Sequence, residues 1–304
     1  MEKYTYNHLN TYLKQKFGER VLKISVNAGF SCPNRDGKCG YGGCIFCGET
    51  GGSIERENID LQKQIINHLS SYKGERANKF IVYFQNFTNT YADISTLKQK
   101  YDTALSTSDK IIGLQIATRP DCITEEIAQL ISSYSDKYYT CVELGFQTAN
   151  DLTANIINRG YTKDVFEKAV KILNKYNIDV IAHIMVGLPN ENLIDVLNTV
   201  KYLNNFNLQG VKIHSTYVVK GTKLEQMYNN KQYNPVSLED YINSVVTIIC
   251  NLNPKFIIHR ISGDAPKDRL VAPSWNTHKK LVLNNVERIL RENNLYQGCK
   301  YINN

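Results

Sequence analysis

Val21-Leu-Lys-Ile-Ser-Val-Asn-Ala-Gly-Phe30, an apolar and β-rich run, leads through Ser31 into Cys32-Pro-Asn-Arg-Asp-Gly-Lys-Cys39-Gly-Tyr-Gly-Gly-Cys44-Ile-Phe-Cys47. A strand therefore delivers the chain straight into a thiol-crowded loop. Four of the eight cysteines fall within these sixteen residues. Thiolates packed this closely select soft metal ions or iron–sulfur clusters, and the interleaved glycines let the backbone wrap around something larger than one atom.

Outward from this stretch the β-rich runs recur: Phe80 to Phe87, Lys110 to Ala117, Tyr138 to Phe146, Ile178 to Gly187 and Gln209 to Val219. Between them Leu61 to Tyr72, Ile94 to Leu105, Glu125 to Tyr134, Lys163 to Tyr176 and Asn192 to Leu203 carry apolar residues at three- and four-residue spacing, the period of an amphipathic helix. Six strands alternating with helices predict parallel strands joined by right-handed crossovers. Six units are too few to close an eight-stranded barrel, so the expected class is α/β, a partial (β/α)6 barrel.

The polar residues gather where such folds hold ligands, beyond the C-terminal strand ends. Those ends read Gln85-Asn86-Phe87-Thr88-Asn89-Thr90, Thr118-Arg119-Pro120-Asp121, Glu143-Leu144-Gly145-Phe146-Gln147-Thr148, Gly187-Leu188-Pro189-Asn190-Glu191 and His214-Ser215-Thr216-Tyr217. Each alone fits a strand-terminating turn; five at equivalent places of one repeat point to a single large site. Past residue 235 the pattern changes to a helix from Leu238 to Leu252, a strand from Phe256 to Ile261 and a last helix from about Asn276 to Asn293. The expected division is a barrel over 1–235, with the cysteine loop at 32–47, and a C-terminal α/β cap over 236–304. His259, Arg260, Asp264 and Trp275 are candidate cap residues over a substrate.

The chain has 304 residues, 42% of them hydrophobic, enough for a sizeable core. No stretch approaches the ~20 apolar residues of a membrane helix, and Met1-Glu-Lys-Tyr is no signal peptide, so a cytoplasmic protein is expected. In that reducing setting clustered cysteines read as ligands, and the scattered Cys122 and Cys141 as small buried side chains. The formal charge of +7 suits an anionic partner such as RNA, and also suits a plain lysine-rich surface.

Two metal readings compete for the loop. Zinc takes four protein ligands, usually as two CxxC-like pairs, whereas Cys44 and Cys47 form one such pair and Cys32 and Cys39 stand further apart. A [4Fe–4S] cluster held by three cysteines leaves one iron free for another ligand. The loop, with Cys-x-Phe-Cys at its end, resembles the radical S-adenosylmethionine (SAM) superfamily, and within it a bacterial branch related to the radical SAM domain of the Elongator catalytic subunit. The later motifs follow the family's order: Phe84-Gln85-Asn86-Phe87-Thr88-Asn89-Thr90-Tyr91, Thr118-Arg119-Pro120-Asp121, Glu143 to Thr148, Asn158-Arg159-Gly160, Gly187-Leu188-Pro189 and Lys220-Gly221-Thr222.

The resemblance implies a partial radical-SAM barrel with two cofactors, a [4Fe–4S] cluster and SAM. It implies Cys32, Cys44 and Cys47 as cluster ligands, with a Cys39, Cys44, Cys47 set as the alternative. It further implies Phe46 against the adenine, Gln85 and Asn86 at the methionine amino group, Gln147 at the ribose, Arg159 at the methionine carboxylate and Gly187 near the adenine. Read without it, Arg159 suits a surface partner for Asp151 or Asp164, and Gly187 a helix-initiating turn.

The implied activity is reductive SAM cleavage to a 5′-deoxyadenosyl radical, fed by a reduced flavodoxin or ferredoxin-type donor. The implied substrate is wobble uridine in tRNA, whose 5-aminomethyl-type side chain would be matured by removal of a carboxymethyl group. Radical chemistry on a small metabolite is the alternative, and a non-catalytic metal-bearing RNA-binding protein is the reading from another class. Arg35, Asp36, Tyr91, Asp121, His183, His214 and Tyr217 are the candidates on the substrate side.

Overall fold

The computed structural model describes residues 4–49, 51, 60–263 and 265–302; Asp264 lies outside them. Strands β1 (Val21–Val26), β2 (Lys79–Phe84), β3 (Ile111–Thr118), β4 (Tyr139–Gln147), β5 (Asp179–Val186) and β6 (Gly210–Ser215) lie side by side in chain order, all parallel. The helices α1 (Leu9–Phe17), α2 (Leu61–Leu69), α3 (Ile94–Ser106), α4 (Glu125–Ser132), α5 (Asp151–Ile156), α6 (Lys163–Lys175) and α7 (Leu193–Leu203) alternate with them. This is the expected α/β partial barrel.

Caps explain where several helices begin. Asp93 accepts from the Thr96 amide ahead of α3, Thr124 from the Ile127 amide ahead of α4, and Asn192 with Asp195 forms a reciprocal capping box ahead of α7.

The strand count differs from the sequence expectation. After the short β7 (Val218–Val219), α8 (Lys223–Asn229) and α9 (Leu238–Asn251), the chain enters β8 (Ile257–Arg260), which pairs parallel with β6 and makes a seventh strand of the main sheet. The segment read as part of a cap is in this respect one more β–α–β crossover, with α9 packed against α7. Beyond it, β9 (Leu270–Ala272) pairs antiparallel with β7, and α10 (Lys279–Glu292) packs on α9.

The sheet separates two environments by its two-residue period. Phe80, Val82, Phe84, Leu114, Ile116, Val142, Leu144, Phe146, Val180, Ala182, Ile184, Val211 and Ile213 point outward into a continuous apolar core with the helices. The alternate positions Tyr83, Gln115, Glu143, His183 and Lys212 belong to the lumen and are polar. Leu9 and Leu13 of α1 close its lower end against Val21, Ile81 and Ile257. Among the described residues no helix is long and apolar enough to cross a membrane.

Candidate active site

The cysteine loop is held by its own polar residues. The Asn34 amide donates to Asn158 O at 2.6 Å and approaches the Cys44 sulfur at 3.8 Å, while Arg35 Nη2 donates to the carbonyls of Cys47 and Gly48 at 2.7 and 2.6 Å. Asn158 in turn donates to Gly43 O, and the Ile45 amide to Ile157 O, so the loop is stitched to the turn after α5. Gly42 and Gly43 adopt φ of 77° and 75°, a left-handed conformation that side chains resist.

One cavity of about 240 Å³ opens above the strand ends. Cys32, Cys44 and Cys47 line it together with Phe46, Gln85, Arg119 and Gln147. Cys39 is exposed and is not among its lining residues. Asn86 is buried in the wall, 2% exposed, while its neighbour Gln85 faces the cavity.

Two more of the expected SAM-contact residues do not line this cavity. Arg159 is fully buried behind the cavity wall rather than lining it, with Nη1 donating to Phe146 O and Thr148 O at 2.5 and 2.7 Å, Nε to Tyr161 O at 2.9 Å and Nη2 to Asp151 at 3.3 Å. Its donors are taken up by the Phe146, Thr148 and Tyr161 carbonyls and by Asp151. Gly187 faces a different hollow, lined by Pro189, Glu191 and Val236; its φ is 84° and its carbonyl accepts from Tyr233 Oη at 2.7 Å.

Arg119 is one of three guanidinium groups that line the cavity, with Arg35 and Arg260. It grips Asp121 through Nε and Nη2 at 2.9 and 2.7 Å, donates to Arg159 O and lies over the Tyr161 ring at 4.9 Å. Asn89 and Thr90 serve the scaffold instead: Asn89 donates to Phe84 O and Ala117 O, and Thr90 bonds to Thr118 and Cys122 O.

The lumen joins Glu143 and His183, both singled out in the sequence, to Lys23, Tyr83, Gln115 and Lys212, which motif reading passed over. Glu143, with no exposed surface, accepts from Tyr83 Oη at 2.5 Å, from Lys212 Nζ at 2.8 Å, from His183 Nε2 at 2.5 Å and from Gln115 Nε2. Lys23 stands 3.6 Å away. Burial works to raise the Glu143 pKa, yet Lys212, His183 and Lys23 outweigh it and hold the carboxyl well below its usual range. Burial lowers Lys212 to about 7. Polar residues at alternate positions of apolar strands, Lys23, Tyr83, Gln115, Glu143, His183 and Lys212, were the available signal.

The donor set fits an iron–sulfur cluster. Burial pushes the Cys44 thiol up to about 12 and raises that of Cys47, outweighing the lowering pull of Arg119 on the first and Arg35 on the second. Cys32, Cys44 and Cys47 act on one another electrostatically, yet among the described residues no three His, Cys, Asp or Glu side chains are arranged to hold a metal ion. A [4Fe–4S] cluster takes one thiolate on each of three irons, and Cys32, Cys44 and Cys47 are the three thiols that line this one cavity.

Comparison with known proteins agrees with this geometry. The Radical SAM superfamily model matches residues 33–203 and the Radical_SAM C-terminal domain model matches residues 208–292. The chain is 35% identical over 298 residues to the uncharacterized protein YtqA of Bacillus subtilis, covering 96% of this chain and 92% of that one. Against Elongator complex protein 3 of Bos taurus the identity is 29% over 163 residues, 52% of this chain and 29% of the other. The solved Elp3 of Methanocaldococcus infernus, lacking its N-terminal 46 residues, superposes with a TM-score of 0.70 at 19% identity over 91% of this chain, and the match spans 64% of that chain, less than two thirds.

Proposed function

The chain belongs to the radical SAM superfamily, whose cofactors are a [4Fe–4S] cluster and SAM, and from that premise we propose that it modifies the 5-position side chain of wobble uridine in tRNA. The single observation that carries the site is one cavity joining Cys32, Cys44 and Cys47 to Gln85, Arg119 and Gln147. In this reading those three cysteines hold the cluster. When bound, the cluster supplies the electron that cleaves SAM to methionine and a 5′-deoxyadenosyl radical.

The protein's own residues do the rest. Gln85 and Gln147, at the ends of β2 and β4, offer amides to the polar parts of SAM, and Phe46 offers an aromatic surface between two ligands. Arg119 brings positive charge to the cavity wall, with its Nε and Nη2 already held by Asp121. Arg159 fixes the β4 end through Phe146 O and Thr148 O, and so keeps Gln147 at φ 64° facing the cavity. Apolar packing beneath the loop, with Ile45, Leu188 and Leu224, helps exclude water.

The tRNA assignment is supported by the kinship with Elongator complex protein 3 and by the formal charge of +7. On the cysteine loop Tyr41 is 80% exposed, and Lys38 lies over the Tyr91 ring at 5.2 Å, both suited to stacked bases and phosphates. The proposal includes a cytoplasmic location, a flavodoxin or ferredoxin-type donor, and a barrel over 1–235 followed by an extension over 236–304 that contributes β8. The test is anaerobic: reconstitute with iron and sulfide, add SAM and dithionite, and quantify 5′-deoxyadenosine with and without undermodified tRNA. Cleavage stimulated by that tRNA, with altered wobble nucleosides, is the expected result. Cleavage indifferent to tRNA would move the substrate to a small metabolite, and a cluster-loaded protein without SAM cleavage would remove the activity.

A further inference from the structure

A second hollow opens beside the end of β5. Met185 lines the main cavity, whereas the residues that follow it, Val186 to Asn192, line a hollow of about 550 Å³ at the starts of α7 and α9. Its size falls in the range of about 300–1,000 Å³ that small-molecule sites occupy.

The chemistry of this hollow differs from that of the main cavity. Among the described residues no lysine, arginine or histidine lines it, and it carries two carboxyls, Glu191 and Asp240. Phosphate and carboxylate ligands are therefore disfavoured. Asn190, Gln232, Asn234 and Asn243 also line it; all four are exposed, and their side chains make no hydrogen bond among the described residues. Each amide offers two donor hydrogens and an acceptor oxygen. Glu191 is half-buried and accepts from Thr148 Oγ1 at 2.5 Å and from Thr153, which leaves acceptor capacity on a carboxylate with about four lone-pair sites. Pro189, Val236 and Leu193, the last 45% exposed, supply apolar surface.

A flat ring with a polar edge suits such a wall. Side-chain amides pair with base edges, and a glutamate accepts from an exocyclic amino group. Uracil has no amino group and would turn a carbonyl oxygen toward the acid. We propose that the second hollow binds an amino-bearing nucleobase, with Asn234 and Asn243 on its polar edge and Glu191 accepting from its amino group. The inference rests on the wobble-uridine reading only in naming the source, the base beside the wobble position. Met185 and Val186 are consecutive residues, so the two openings share one strand end, as neighbouring bases of one loop require.

Two measurements on the reconstituted protein test this. Ligand-observed saturation-transfer NMR with cytidine and with uridine reads the hollow without RNA or turnover. Saturating SAM keeps nucleosides out of the main cavity, and at about pH 8 Glu191, raised by burial to about 7, is ionised. A signal that is stronger for cytidine than for uridine and is lost in the Asn234→Ala/Asn243→Ala double variant is expected. Glu191→Gln should narrow the preference, because an amide accepts more weakly than a carboxylate. Equal signals for the two nucleosides would assign the contact to the ribose, and a signal abolished by SAM would place the nucleoside in the main cavity. No cytidine signal, or one indifferent to both variants, would leave the hollow without this ligand; each of these results overturns the proposal. Iron content, SAM affinity and urea midpoint equal to wild type show that the double variant has folded.

Fluorescence anisotropy then compares anticodon stem-loops carrying cytidine or uridine on the 3′ side of the wobble uridine. The extra contacts of the amino group set a preference of about tenfold for the former, which the double variant should erase. If free cytidine behaves as expected while the wild type ignores this difference, the nucleobase site stands and the wobble-uridine reading falls.

Discussion

Glu143→Gln is the most informative single change, because it removes one negative charge from the lumen and keeps the side chain's shape. Lys212 Nζ lies 2.8 Å from Glu143 Oε2, and both side chains are at most 7% exposed. Charges about 4 Å apart at an effective dielectric near 20 attract by about 4 kcal/mol, and breaking a buried pair costs about 3–5 kcal/mol. The amide also turns an acceptor into a donor opposite Tyr83, Gln115, His183 and Lys212, all of which donate. A loss of about 3–5 kcal/mol near pH 7 is therefore expected in urea unfolding followed by circular dichroism.

Its pH dependence has a definite sign. Burial, then Arg260 and Lys23, depress Lys212 from 10.5 to about 7, and Glu143 opposes them. A depressed lysine costs stability below its unfolded value, and the cost stops growing once the folded form takes up its proton. Without Glu143 that uptake shifts to lower pH, so the variant's deficit widens by at most about 1.4 kcal/mol for each pH unit below about 7. Adding Lys212→Met should recover much of the loss, with a coupling of about 2 kcal/mol in the double-mutant cycle. A deficit under about 1 kcal/mol, flat with pH and additive with Lys212→Met, would refute the account of the pair.

Further expectations concern the loop, the wall and the second hollow. Cys39→Ala should keep its iron after reconstitution and Cys32→Ala should lose it, measured as iron per chain; the reverse would move the cluster to Cys39. Arg159→Lys cannot reach three carbonyls at once and should lose about 2–4 kcal/mol of stability, with SAM affinity falling only as far as Gln147 is disordered. Gly187→Ala combines a φ of 84° with a Cβ placed 2.8 Å from Val236 Cγ1, and should cost about 1–3 kcal/mol, part of it recovered by Val236→Ala. Burial raises Glu191 from 4.5 to about 7, so its contribution to stability is present at low pH and lost as pH rises through about 7. Urea midpoints at about pH 6 and about pH 8 should show that dependence in the wild type and not in Glu191→Gln.

The sequence by itself carried the alternation of strands and helices, because residues such as Val82, Phe84, Val142 and Leu144 must face the helices at a period of two and the amphipathic helices repeat near 3.6. It also carried the cysteine loop, whose residue types and spacing are local properties. It gave the segment Phe256 to Ile261 as a strand but not its neighbour, since pairing with β6 is a long-range choice made when α9 packs against α7. Which member of a motif lines the cavity was likewise beyond local reading. Gln85 lines the cavity and Asn86 does not; Arg159 spends its guanidinium on backbone carbonyls; Gly187 opens on another hollow. Lys212 and Arg260 lie 48 positions apart in the chain and become neighbours by strand register alone, which is why their joint charge against Glu143 exists only in the folded barrel.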